Sequence, residues 1–204
     1  MLVKKFEREG ISKNVIAAFK KVPREKFVLP SYKTEAYEDT PLPILAGQTI
    51  SQPTTVVLML DALEVKPGMK VLEIGAGSGY NAALLGVLVG AKGKVFTTEI
   101  IEELAKFAKN NLKKAGLKNV KVLFFDGSKG YEDEAPYDRI ICTAGAPRIP
   151  DVMVEQLKDD GILLIPVGPE YGQSMVRVRK IKGKVAHENL GSFIFVPLRG
   201  KYGR

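Results

Sequence analysis

The run Val71-Leu72-Glu73-Ile74-Gly75-Ala76-Gly77-Ser78-Gly79-Tyr80 constrains this chain more than any other stretch. It reads as a hydrophobic strand that ends in a glycine-rich turn and opens a helix. A second strand-like run, Lys94-Val95-Phe96-Thr97-Thr98, follows it, and Glu99 stands 20 residues after Gly79. Strand, turn, helix, strand and acidic residue in that order describe a nucleotide-type cofactor site. The glycines let the backbone approach a ligand where a Cβ would collide. A carboxylate at the tip of the second strand can accept hydrogen bonds from both ribose hydroxyls. The plain alternative is a tight turn between strand and helix that holds no ligand.

The spacing is G-x-G-x-G, and Tyr80 stands where the third glycine of the dinucleotide pattern would fall. A dinucleotide needs close contact between helix N-terminus and pyrophosphate, which a bulky Tyr opposes. Glu73 also sits badly beside a pyrophosphate and suits a cationic or amine-bearing ligand. The stretch E-I-G-x-G-x-G-Y with Glu99 behind it resembles motif I and the following acidic residue of the class I S-adenosylmethionine-dependent methyltransferases. That resemblance implies S-adenosyl-L-methionine as cofactor and S-adenosyl-L-homocysteine as its product. The residues it implies are Glu73, Ile74, Gly75, Gly77, Ser78 and Gly79 in the turn, then Glu99 and Ile100, and finally Asp126, Gly127 and Thr143.

From Lys70 onward strand-like and helix-like runs alternate. Strands are expected at 70–74, 94–98, 120–124 and 138–143, and helices at 78–90, 100–115 and 150–157. Gly161 opens a fifth strand, and the runs 174–181, 184–190 and 193–197 follow with no helix between them. The expected architecture is α/β and doubly wound. It is a Rossmann-like, mostly parallel seven-stranded sheet with an N-terminal helical and loop extension and antiparallel C-terminal edge strands. Ligands in such sheets bind at the carboxyl ends of the strands, near the topological switch point. Asp126 there can accept from an adenine amine, or can serve only as a turn residue before Gly127.

Upstream, Ser12 is placed to cap a helix carrying Val15, Ile16, Phe19 and Val22 and ended by Pro23. Residues 24–50, with Pro30, Pro41, Pro43 and Gly47, form an irregular segment of a length that is more often functional than not. Pro53 starts a second helix with Val56, Val57, Leu60 and Leu63 at helical spacing. A single domain over 1–204 is expected, with N-terminal helices and a substrate-side loop in 1–66, a cofactor-binding core in 67–168 and antiparallel strands in 169–204.

Composition narrows the partners. No run approaches the ~18 apolar residues of a membrane span, and the N-terminus lacks the apolar core of a signal peptide. One cysteine, Cys142, excludes an internal disulfide and fits a reducing cytoplasm; it reads as a buried strand thiol. With one Cys and one His, His187, no metal cluster is expected. The formal charge of +8 is dispersed, as in Lys109, Lys113, Lys114, Lys118 and Lys121, so a solvated surface is expected and nucleic acid is not. Lys and Glu total 38 against 10 for Asn and Gln, a skew that suggests a thermophilic source.

Several further pieces are far more specific. Tyr37-Glu38-Asp39-Thr40-Pro41-Leu42-Pro43-Ile44 and Gly47-Gln48-Thr49-Ile50-Ser51-Gln52-Pro53 closely resemble the protein-L-isoaspartate O-methyltransferases. Asp126-Gly127-Ser128-Lys129-Gly130, Ala135-Pro136-Tyr137-Asp138, Thr143-Ala144-Gly145-Ala146-Pro147 and Phe195-Val196-Pro197-Leu198 match as well, so the likeness runs from about Ala17 to the C-terminus. The resemblance implies methylation of the free α-carboxylate of L-isoaspartyl or D-aspartyl residues in damaged proteins and peptides, after which the ester recloses to succinimide. It implies Ser51 as the catalytic residue, a donor that orients the carboxylate. It implies Thr49, Ile50, Ser51 and Gln52, with Val196, Pro197 and Leu198, as the substrate side. A monomer without nucleic-acid or membrane partners is expected. The chain departs from the common Ser-Ala-Pro-His pattern in having Ser51-Gln52-Pro53-Thr54.

An α-carboxyl has a pKa of roughly 3.5, so the acceptor is already anionic at neutral pH and needs no general base. Ser51 could instead be the N-cap of the helix opened by Pro53, and 196–198 could be an ordinary edge strand ending in Pro. Two other functions remain open. One is a different acceptor, a small-molecule carboxylate or RNA; Thr143-Ala144-Gly145-Ala146 stands where base methylation would call for an N-P-P-Y-type motif. The other is a cofactor-binding module without catalysis. Asp126-Gly127 and Asp160-Gly161 are also expected to be sites of succinimide closure in the chain itself.

Overall fold

The computed structural model describes residues 2–204; Met1, part of the N-terminal stretch read above, lies outside the described residues. The chain starts with two short helices, Leu2–Arg8 (α1) and Lys13–Lys21 (α2). α1 was not expected from the sequence. It is held by Phe6, fully buried and edge-on to Phe19 with ring centroids 5.2 Å apart. Ser12 stands at the N-cap of α2, but its side chain caps nothing. Its backbone amide donates instead to Asp61 Oδ1 at 2.9 Å, a tether to a residue 49 positions on.

Residues 24–50 are shaped by turns and a small ribbon. Single 3₁₀ turns at Arg24–Lys26 and Pro30–Tyr32 lead into two antiparallel strands, Leu42–Pro43 (β1) and Thr49–Ile50 (β2). The helix Pro53–Leu63 (α3) follows with Pro53 at its first position, where a missing N–H costs nothing. Gln52, not Ser51, is its N-cap residue, and the Thr54 amide is taken by Asp39 Oδ1 at 2.9 Å. The capping alternative for Ser51 is thereby removed.

The alternating region folds as its rhythm requires. Lys70–Ile74 (β3), Lys94–Glu99 (β4), Val120–Phe124 (β5), Tyr137–Cys142 (β6) and Leu157–Val167 (β7) run parallel. Gln173–Ile181 (β8) and Lys184–Phe193 (β9) complete the sheet antiparallel, in the order β5-β4-β3-β6-β7-β8-β9. Tyr80–Val89 (α4), Glu102–Lys114 (α5) and Asp151–Glu155 (α6) lie between the strands in sequence. From β3 the chain steps outward to β4 and β5, then returns to the other side of β3 as β6. That reversal opens a crevice at the carboxyl ends of β3 and β6.

Both faces of the sheet are covered. Val71, Val95, Ile141 and Leu164 pack under α1 to α5, while Leu72, Phe96, Ile140 and Leu163 pack with Met153 of α6 and with Leu198. Strands buried on two faces read as near-continuous apolar runs, which is why the core strands were legible. Each fully buried aliphatic side chain contributes about 1.5–3 kcal/mol. Cys142 lies in the second layer, where burial pushes its thiol up to about 12, as suits a structural thiol.

Two expectations at the end of the chain need correction. The fifth strand begins at Leu157, paired with Tyr137, before Gly161; a bulge then shifts the register so that Ile162 pairs with Arg139, with Asp160 at φ 60 inside it. Residues 193–197 do not form a further sheet strand. β9 ends at Phe193, and the segment beyond crosses to the loop after β6, where Pro197 bridges Gly145 in parallel. Among the described residues, no helix is long and apolar enough to cross a membrane.

Candidate active site

The carboxyl ends of β3, β4 and β6 open on a cleft. Its floor is the glycine turn. Ile74, Gly75, Gly77 and Ser78 line the cleft together with Ala76. The amides of Gly75 and Ala76 both donate to the Thr98 carbonyl, at 2.9 and 3.0 Å, which ties the turn to β4. Gly75 and Gly77 have φ of 96 and 53, a region that favours glycine. A Cβ on Gly75 would run into Thr143 Oγ1, whose hydroxyl donates to the Gly75 carbonyl at 2.8 Å. Thr143 lines the cleft as well.

Gly79 serves a different purpose. It is the N-cap of α4 at φ 85, it does not line the cleft, and a Cβ there would stand 3.2 Å from the Ala108 carbonyl of α5. Its lack of a side chain permits close helix-to-helix approach.

Glu99 is fixed from two sides. Oε2 accepts the Gly77 amide at 2.9 Å and Oε1 accepts the Ile101 amide at 3.1 Å. Each carboxylate oxygen keeps a lone pair free, so the group can still accept from a diol. Glu99 and Ile100 both line the cleft.

Glu73 is fully buried behind the cleft instead of facing it. Its Oε1 accepts from Asn81 Nδ2 at 2.7 Å and its Oε2 from Thr97 Oγ1 at 2.5 Å. Burial raises its carboxyl to about 7, against the pull of those two donors. Asn81, which the sequence reading passed over, lines the cleft and carries the influence of Glu73 to it. Its position in the first turn of α4, one residue after Tyr80, is the signal that could have found it.

Asp126 is also spent elsewhere. Oδ1 accepts the amide and hydroxyl of Ser128 at 3.0 and 2.6 Å, and Oδ2 accepts the Lys201 amide at 2.9 Å. Burial would raise its carboxyl, but these donors outweigh it and hold it below the usual range. Asp126 stands beside the cleft lining, tied into the turn before Gly127, and Gly127 itself lines the cleft.

The opposite wall is the expected acceptor side. Thr49, Ile50 and Ser51 line the cleft, as do Val196, Pro197 and Leu198. Gln52 does not line it. The ribbon of β1 and β2 leans on the glycine turn, with Ile44 Cδ1 3.6 Å from where a Cβ on Gly77 would stand. The 196–198 segment is held by Gly145, whose amide donates to the Val196 carbonyl at 2.8 Å and whose carbonyl accepts the Leu198 amide at 2.9 Å.

Two charged residues unforeseen in the sequence hold this wall. Asp39 accepts from Lys5 Nζ at 2.7 Å and from Thr54 Oγ1 at 2.6 Å, besides the Thr54 amide. Burial would raise its carboxyl, yet these bonds hold it at about 2. Arg24 Nη2 donates to the Ser51 carbonyl at 2.8 Å. Both partnerships join positions too far apart in sequence for any local pattern to record.

The whole chain can be compared with known proteins. The family model "Protein-L-isoaspartate(D-aspartate) O-methyltransferase (PCMT)" matches residues 1–203. The "Protein-L-isoaspartate O-methyltransferase" of Methanococcoides burtonii is 49% identical over 203 residues, 99% of this chain and 100% of that protein. Its namesake in Pyrococcus abyssi is 52% identical over 205 residues, covering 98% and 94%. A solved protein-L-isoaspartate O-methyltransferase superposes with a TM-score of 0.91 at 31% identity, over 99% of this chain and 66% of that one. A putative member from Plasmodium falciparum, solved in complex with S-adenosyl-L-homocysteine, gives 0.84 at 27% identity over 97% and 96%. On the full-length family match and these relatives, the chain belongs to the protein-L-isoaspartate(D-aspartate) O-methyltransferase family.

Proposed function

We propose that this chain is a protein-L-isoaspartate(D-aspartate) O-methyltransferase. It transfers a methyl group from S-adenosylmethionine to the free α-carboxylate of isoaspartyl residues in damaged proteins and so starts their repair through succinimide. The observation that carries this reading is one cleft in which a glycine turn and Glu99 face Ser51 and the 196–198 segment.

The residues fit the cofactor. The glycine turn is bare where Cβ atoms would intrude, and Glu99 offers fixed acceptors suited to a ribose diol. S-adenosylmethionine, when bound, supplies a methyl on a sulfonium, which passes to a carboxylate oxygen as the carbon–sulfur bond breaks and no proton moves. The protein's task is then positioning and exclusion of water, since opposite charges neutralise each other more readily in a dry site. Accordingly no base is needed, and the only histidine, His187, is exposed on β9, away from the cleft.

On the acceptor side Ser51 orients the carboxylate by donating from its hydroxyl, and Thr49 and Ile50 shape the approach. Gly145 occupies the amide and carbonyl groups on one edge of the 196–198 segment. The Pro197 carbonyl takes no part in that pairing, and we infer that it accepts from a peptide main chain, a mode that tolerates many side chains. We further infer a one-domain monomer in the cytoplasm of a thermophile, working on proteins without metal, nucleic acid or membrane. The single Cys and the Lys and Glu skew support this setting.

The test is turnover on an isoaspartyl peptide by Ser51→Ala. A drop of roughly a hundredfold in kcat/KM with cofactor affinity unchanged is expected for loss of an orienting donor. Full turnover would remove Ser51 from the site.

A further inference from the structure

Arg24 opens a surface 3₁₀ turn, yet its side chain is fully buried. Its Nε donates to the Ala36 carbonyl at 2.7 Å and its Nη2 to the Ser51 carbonyl at 2.8 Å. The guanidinium carbon lies 5.0 Å from the ring centroid of Tyr80, a residue that lines the cleft. Neither Arg24 Nη1 nor the Tyr80 hydroxyl, both buried, meets hydrogen-bond geometry with any described residue. The nearby carboxylates are engaged elsewhere: Asp39 by Lys5 at 2.7 Å, and Glu25 by the Tyr37 hydroxyl at 2.7 Å. Burial lowers the guanidinium to about 10, against the pull of Tyr80, Tyr37 and Asp39, so it stays charged at neutral pH.

A buried cation without a carboxylate partner is costly. Holding two carbonyls does not require the charge, because neutral donors could do it. Arg24 itself does not line the cleft, so its charge acts across the Ser51 peptide, where it can serve an anion that arrives with the substrate.

We propose that Arg24 is a positioning residue that sets the charge of the acceptor: it fixes the Ser51 peptide and favours a carboxylate over a neutral group at that end of the cleft. The inference rests on the reading of Ser51 and 196–198 as the acceptor side. Attraction to the carboxylate is strongest before transfer and falls once the neutral ester forms. Arg24 therefore acts on substrate capture and product release, not on the transfer itself.

The test compares an isoaspartyl peptide with its α-carboxamide twin, by calorimetry on protein saturated with S-adenosylhomocysteine. Wild type should prefer the carboxylate by roughly tenfold or more, as a nearby unit charge in a poorly screened site allows. Arg24→Met should bring the ratio close to one, and Arg24→Lys, which keeps the charge, should retain most of it. In turnover, Arg24→Met should raise KM roughly tenfold, without a matching fall in kcat, because the lost attraction is strongest before transfer. Arg24→Gln, a neutral residue that keeps a donor for the Ser51 carbonyl, replaces Arg24→Met if the latter fails to fold. A neutral variant with the wild-type ratio, or one that loses peptide and S-adenosylhomocysteine in equal proportion, overturns the assignment. Wild type that transfers no methyl to the peptide fails the functional reading and this inference with it. Wild type that does transfer, beside a neutral variant that discriminates as well, fails the Arg24 assignment alone.

Discussion

Glu99 and Gly77 are bonded to each other: the carboxylate at the end of β4 accepts the Gly77 amide at 2.9 Å. The acidic residue and the glycine turn, 22 positions apart, are thus one device. Glu99→Gln can still accept once but carries no charge and fewer lone pairs. It should weaken S-adenosylhomocysteine roughly tenfold, about 1.4 kcal/mol, by calorimetry. Unchanged affinity would show that the cofactor does not use this carboxylate.

Gly75 and Gly10 separate backbone strain from collision. Both have positive φ, 96 and 78, but a Cβ on Gly10 meets nothing within 4 Å while one on Gly75 meets Thr143 Oγ1. Gly10→Ala should cost about 1 kcal/mol by denaturant unfolding, the strain alone. Gly75→Ala should cost about 3 kcal/mol and abolish cofactor binding, because strain and collision combine at the cleft floor.

Glu73 gives the chain a pH dependence of unusual sign. Its folded carboxyl titrates at about 7, above the unfolded value near 4.5. Between those values the folded state binds the extra proton, so this group's contribution falls as pH rises from about 4.5 to about 7. Glu73→Gln should remove that slope, worth a few kcal/mol at most, roughly. Urea midpoints of both proteins at pH 5 and pH 7.5 would read it. Parallel changes in the two would place the titration elsewhere.

Ageing of the chain should discriminate between its two Asp-Gly sites. Asp126 is held by Ser128 and Lys201 and cannot turn its carbonyl carbon toward the next amide. Asp160 is exposed, in a bulge at φ 60. Peptide mapping after incubation should find isoaspartate at Asp160 first and at Asp126 only when the fold is lost. The reverse order would contradict the rigidity of Asp126.

The strands from β3 to β6 and the glycine turn were legible because they are written locally, in apolar runs and in residues that alone tolerate positive φ. What was not legible depends on partners distant in sequence. Nothing local to Asp126 records that Lys201, 75 residues on, donates its amide to Oδ2. Ser51 looks like a cap until Asp39 takes the Thr54 amide and Gln52 takes the cap position. Ser12 likewise spends its backbone, not its hydroxyl, on Asp61. Glu73 sits on a strand buried on both faces, so its place behind the cleft follows from packing that the motif does not record. The last segment was read as a sheet strand because its residues suit one; only the loop after β6 reveals why it leaves the sheet at Phe193.

The central claim is that this cleft methylates an α-carboxylate made available by isoaspartate. Methyl-labelled S-adenosylmethionine, incubated with the protein and either an isoaspartyl peptide or its normal aspartyl twin, tests it directly. Label on the isoaspartyl peptide alone, released as the ester closes to succinimide, is the expected result; label on both peptides, or on neither, would contradict it.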